Sequence, residues 1–184
     1  MGSLDWPFNP LSLAIGAEAT FVARAIDTDR AHLQDVLRRA SEHRGSAFVE
    51  IFQNCNIFND NAFDFVREQK ENRIYLEDAK PIRWGEEGAQ KGLRQRSDGS
   101  IEVVDGAEDG LLVHDSAHET PALAFALSRV TQETSGGTPV GVFREVERPV
   151  YDDLMAKQIE TARETRGVGD LAALLTSGET WTIS

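Results

Sequence analysis

One cysteine, Cys55, stands in a chain of 184 residues, and that scarcity excludes a good deal. A disulfide within the chain needs two thiols, and a zinc or iron-sulfur centre built by one chain takes three or four thiolate or imidazole ligands. Cations are also few: 19 Lys and Arg stand against 31 Asp and Glu, for a formal net charge of -12. Polyanion binding draws on Lys and Arg that displace condensed counterions, so no nucleic acid partner is expected. Apolar runs such as ALAFAL are far below the ~20 residues a membrane helix needs, and no membrane association is expected. The opening MGSLDWPFNP has neither a basic start nor a secretory core. With one unpaired thiol, it points to a reducing, cytoplasmic setting. Walker loops, nucleophile elbows and GxGxxG fingerprints are absent as well.

What remains is globular. Hydrophobic residues make up 40% and charged residues 27%, with three Trp and nine Phe, too much apolar material for a disordered segment. A chain of this size buries roughly two thirds of its unfolded surface, enough for one good core. The start is unusual because Trp6 and Phe8 sit where free termini are polar. It reads either as a linker inside a longer protein or, for its first three residues, as an appended segment.

Asn9 and Pro10 open a short helix that Gly16 closes. TFVARAID then reads as a strand. The segment DTDRAHLQDVLRRASEHRG places Leu33, Val36, Leu37 and Ala40 at helical spacing, with Asp27 or Thr28 as cap and Gly45 beyond the end. SAFVEIF has the unbroken apolar character of a buried parallel strand. Strand, helix and strand in this order make a right-handed βαβ crossover, and Gln53, Asn54 and Cys55 follow its second strand. Open parallel sheets bind ligands beyond the carboxyl ends of their strands, so the only thiol lies where chemistry is expected.

After Phe63 a short helix leads to RIYLED and PIRWG, and the Asp98-Gly99 pair marks a hairpin between GLRQR and SIEVV. LLVHD reads as a further strand. Thr120 and Pro121 open a helix presenting Leu123, Ala126, Leu127 and Val130 on one face. GVFREVERP alternates charged with apolar residues before Pro149, as an edge strand does, and the tail from Val150 is helical and superficial. His114 and His118 are spaced as metal ligands on a helix would be; a strand followed by a capped helix accounts for them without a metal. Cys55 itself has two readings: a small buried hydrophobe, or a ligand or reactive thiol among Asn54, Asn56, Asn59 and Asp60.

The stretches GAEATFVAR, HRGSAFVEI and QNCNIFND, followed by VHD, ALAFALSRV, GVFREV and a tail ending TWTIS, are together specific. They resemble the thiamine-diphosphate-binding β subunit of the 2-oxoacid:ferredoxin oxidoreductases, in particular the bacterial 2-oxoglutarate type. The resemblance covers the whole chain but only the second half of such a subunit. It implies an α/β fold: residues 1–60 as the C-terminal part of a thiamine-diphosphate-binding domain, contributing a βαβ unit of its parallel sheet, and residues 61–184 as a small α+β C-terminal extension. It implies thiamine diphosphate, magnesium and one 4Fe-4S cluster in the complete subunit, with Cys55 as the fourth cluster ligand. The other three ligands, including a Cys-x-x-Cys pair, and the GDGD magnesium motif belong to the N-terminal half. Implied partners are that N-terminal half, the α subunit and ferredoxin, with a 2-oxoacid and CoA as substrates. The implied reaction is oxidative decarboxylation, with the chain inactive alone; the alternative is a noncatalytic truncated module that binds the partner subunit. Asn56 stands where the family usually has proline, and Asn61 where glycine is common.

Overall fold

The computed structural model describes residues 4–181 and 183, so the appended-segment reading of residues 1–3 and the last residues of TWTIS lie partly outside the described residues. The chain divides into two compact units, 1–148 and 149–184.

In the first unit, helix α1 (Pro10–Gly16) begins as its sequence dictates. The Asn9 side chain accepts from the Ser12 N–H at 2.9 Å, and Leu11 and Ile15 turn inward. Strand β1 (Phe21–Ile26) is buried along its whole length. Helix α2 (Arg30–Glu42) is capped by Asp29, which accepts from the His32 N–H, rather than by Asp27 or Thr28. Strand β2 (Ala47–Phe52) pairs parallel with β1 from Phe21 opposite Ala47 to Ile26 opposite Phe52, so the expected βαβ unit is present.

Helix α3 (Asp64–Arg67), strands β3 (Arg73–Leu76) and β4 (Arg83–Trp84), and the hairpin of β5 (Lys91–Gln95) and β6 (Ile101–Asp105) follow. Next come α4 (Ala122–Ser128), α5 (Gln132–Ser135) and β7 (Thr138–Glu145). Two sheets result, β2-β1-β7-β3 and β4-β5-β6. The larger draws its strands from both sides of residue 60.

Three local expectations change. The segment read as an edge strand, β7, is interior: it runs antiparallel to β1 and parallel to β3. Its charge alternation misleads because Arg144 is buried and donates to the Glu119 and His118 carbonyls. LLVHD forms no strand; only Val113 bridges, to Pro81. In its place, the Leu112 and His114 N–H groups bond the Leu93 and Lys80 carbonyls as an irregular crossing. Finally β2 is not buried. It is the sheet's edge, with β1 on one side alone, and Ile51 is 42% exposed, as is Leu37 of α2 at 43%.

The core follows the period-two alternation of β1. Phe21, Ala23 and Ala25 face α2 and cluster with its Val36 and with Val142 of β7. Val22 faces the other way, with Leu11, Ile15, Ile74, Trp84, Leu93, Leu127 and Phe143. A third cluster of Ile26, Val66 and Val140, flanked by Phe52, Phe63 and Tyr75, lies toward the carboxyl ends of β1 and β2. At Gly141 the backbone has φ +115°, and a Cβ there would lie 3.0 Å from the Leu76 carbonyl oxygen, so β3 can approach only a glycine.

The second unit holds α6 (Tyr151–Arg166) and α7 (Leu171–Leu175). Asp170 caps α7 through the Ala172 and Ala173 N–H groups.

Candidate functional site

Cys55 sits three residues beyond the end of β2, and the strand is anchored where the loop leaves it. Phe52 stacks on Phe63 with centroids 4.3 Å apart, and the Arg24 guanidinium lies 4.7 Å from the Phe52 ring. Arg24 is itself held by Glu50, its register partner on β2, at 2.6 Å. The loop therefore starts from a rigid point even though β2 lacks an outer neighbour.

Beyond Phe52 the chain folds back on itself. Cys55 and Asn59 form an antiparallel bridge, and the Asn59 N–H donates to the Cys55 carbonyl at 3.0 Å. The Asn54 side chain closes the ring from both sides: its amide donates to Asp60 Oδ1 at 2.8 Å, and its carbonyl accepts from the Asn61 N–H at 2.9 Å. Asn61 has φ +64°, the left-handed region that glycine tolerates freely and asparagine best among the rest. Asn61 thus meets a backbone demand that a glycine would also meet.

This ring orients backbone N–H groups at sulfur. The Phe58 N–H, then that of Ile57, with help from Asn59, holds the Cys55 thiol below its ordinary pKa, against desolvation and the negative charge of Asp60. The thiol is exposed. The buried-hydrophobe reading of Cys55 therefore fails, and a sulfur exposed amid N–H donors is the environment that favours thiolate over thiol. Of the polar residues expected to serve the sulfur, Asn59 does so through its backbone, whereas Asn54 and Asp60 bond each other. Ile57 and Phe58, the donors not foreseen, are hydrophobic residues 80% and 90% exposed. Their role rests on backbone direction, which side-chain chemistry does not signal.

The same end of the sheet carries a second polar group. The Asp29 carboxylate accepts from the Tyr75 hydroxyl at 2.6 Å and from Arg73 at 3.3 Å. Burial pushes Asp29 up, but the Tyr75 hydroxyl and the His32 N–H outweigh it and leave the carboxyl below its usual range. Arg67 forks onto Asp27 at 2.8 and 3.1 Å. Asp29, Arg67, Arg73 and Tyr75, with Thr28 and Lys70, line a cleft of about 200 Å³.

His114 is buried, its Nε2 bonded to the Val142 carbonyl at 2.7 Å, and His118 bonds Thr120. The two do not converge. Among the described residues no group of three or more His, Cys, Asp or Glu comes together to hold a metal, and none of the helices described is long and apolar enough to cross a membrane. The site can thus offer one thiolate ligand, already surrounded by N–H donors, and no complete centre.

No family model matches the chain. Against individual proteins, it is 46% identical over 190 aligned positions to the 2-oxoglutarate oxidoreductase subunit KorB of Mycobacterium tuberculosis, matching all of this chain and 50% of that subunit. The chain is a partial β subunit of the 2-oxoacid:ferredoxin oxidoreductase type. It spans about half the length of this relative. A 2-oxoacid:ferredoxin oxidoreductase β subunit of Saccharolobus solfataricus is 36% identical over 79 residues, 43% of this chain and 25% of that one. One of Aeropyrum pernix is 41% identical over 71 residues, 38% and 21% of the two chains. In fold, the partial β subunit matches a 2-oxoglutarate:ferredoxin oxidoreductase from Magnetococcus marinus, solved with 2-oxoglutarate, coenzyme A and succinyl-CoA bound. The TM-score is 0.62 over 97% of this chain and 47% of that one, at 23% identity, so this likeness speaks for the fold alone.

Proposed function

We propose that this partial β subunit completes a 2-oxoglutarate (2-oxoacid):ferredoxin oxidoreductase, in which Cys55 is the fourth ligand of a 4Fe-4S cluster. The observation that carries the reading is the exposed Cys55 thiol on the loop beyond β2, whose pKa the backbone N–H groups of Phe58, Ile57 and Asn59 lower. Hydrogen bonds of this kind stabilise negative charge on a ligating sulfur and tune the potential of a cluster. Three further thiolates come from the N-terminal half of the subunit, which also holds thiamine diphosphate and magnesium. When bound, the diphosphate cofactor supplies the chemistry of 2-oxoacid decarboxylation and the cluster that of electron transfer to ferredoxin, with CoA as acyl acceptor.

The chain's own residues position and shield. Arg24, Glu50 and the Phe52–Phe63 stack hold the end of β2; the Asn54–Asp60 clasp holds the N–H groups on sulfur; Ile57 and Phe58 cover the sulfur's surroundings and exclude water once the rest of the subunit is present. The open edge of β2 offers unpaired backbone groups to that other half. Alone, the chain has one ligand of four and does not turn over.

The test is anaerobic co-expression of the chain with an N-terminal half and the α subunit, comparing the visible spectrum of wild type and Cys55→Ala. Brown, cluster-like absorbance that requires Cys55 supports the assignment. Colourless material, or colour indifferent to Cys55, refutes it and leaves the noncatalytic module that binds the partner subunit.

A further inference from the structure

Within the second unit, helix α6 carries an apolar stripe that is largely exposed. Tyr151, Leu154 and Ile159 are 74%, 53% and 46% exposed, and helical spacing aligns them with Met155 and Ala162 on one face. Leu171, Leu174 and Leu175 of α7, in the same unit, are 69–74% exposed.

The charges beside this stripe say what fits it. Asp152 lies in the first turn of α6 and Arg163 in the last. Their separation of eleven positions is about three helical turns, so both stand on the same edge of the stripe, next to Ile159. Among the described residues neither has an ion-pair partner. The helix dipole alone favours acid at the start and base at the end, but it does not require them on one edge. An edge acidic at one end and basic at the other is self-complementary when two copies run antiparallel. A two-fold axis then sets Asp152 of each against Arg163 of the other, as an isologous interface demands.

We propose that α6 pairs antiparallel with α6 of a second copy of this chain, burying Tyr151, Leu154, Met155 and Ile159 and closing both ends with Asp152–Arg163 pairs. Two helices of this length bury less than the ~1,200 Å² of a standard interface, and the α7 leucines supply further apolar area. The dimer is accordingly a weak one.

Sedimentation equilibrium on the full chain tests this with charge reversals at exposed positions, which leave the fold intact. Asp152→Arg and Arg163→Asp, each alone, replace two attractive contacts with two like-charge contacts and weaken dimerisation by about 10-fold or more. The two together restore it to within a few-fold, an outcome that association through the open β2 edge does not produce. Leu154→Glu with Ile159→Glu abolishes the dimer. A chain that stays monomeric, association indifferent to the single reversals, or a double reversal that fails to restore it overturns the proposal. So does an α6 stripe that associates only with the remaining half of the β subunit or with the α subunit.

Discussion

The pair Arg24–Glu50 decides whether the Cys55 loop has a firm base, and its removal has a calculable cost. The two are register partners across β1 and β2, 2.6 Å apart, with side chains 7% and 17% exposed. Burial pulls the Arg24 guanidinium's pKa down and Glu50 pushes it back up, without fully offsetting burial. Glu50→Leu leaves that cation with the Pro139 carbonyl at 3.3 Å and the faces of Phe52 and Phe143. Removing one partner of a buried pair costs about 3–5 kcal/mol, and these residual contacts set the expectation at the lower end, ~3 kcal/mol. In a chain of this size each kcal/mol moves Tm by about 2–4 °C, so a fall of about 6–12 °C follows. Arg24→Met with Glu50→Leu removes both charges and recovers most of the loss. Urea melts monitored by circular dichroism on the four proteins give the cycle. Glu50→Leu within about 1 kcal/mol of wild type, or a double variant as unstable as the sum of the singles, refutes the reasoning.

The remaining expectations concern the loop, two histidines and the sheet. Cys55 reacts with iodoacetamide along a pH profile displaced below that of an ordinary thiol, and Asn54→Ala, which opens the ring, moves the profile back up; an unchanged profile removes the Asn54 clasp from the account. Burial depresses the His114 pKa despite the Val142 carbonyl and Asp78, which raise it, and His32 is depressed by burial likewise. The unfolded chain then takes up protons first, so stability is full above about pH 6.5 and is lost as pH falls from there through the depressed values. His114→Asn flattens that part of the stability-pH curve. Gly141→Ala forces a side chain into φ +115° and against the Leu76 carbonyl, with an expected cost of about 1–3 kcal/mol; a neutral result shows that β3 can retreat.

Much of α1 and the βαβ unit was legible because their signals are local. Asn9 with Pro10, the four apolar positions of α2 and the unbroken strands all report on neighbours within a few residues. The Cys55 loop was legible in place but not in mechanism. Its polar residues suggested that side chains serve the sulfur, whereas Asn54 and Asp60 spend their hydrogen bonds on each other and backbone N–H groups do the work. The cap of α2 is Asp29 rather than Asp27 or Thr28: Arg67, forty residues away, donates to Asp27 and accepts from the Thr28 hydroxyl, while Asp29 accepts from the His32 N–H.

By itself the sequence determined the α/β class, the crossover, the helical tail and the position of the thiol at a strand's end, since periodicity and capping act over one or two turns of chain. Only the tertiary structure decided that β7 is the interior strand. Alternating charge marks an edge only while the charges face water, and Arg144 finds its carbonyl partners more than twenty residues away. It also decided that β2 ends the sheet, for whether a strand has a neighbour depends on chains and segments that its own residues do not encode.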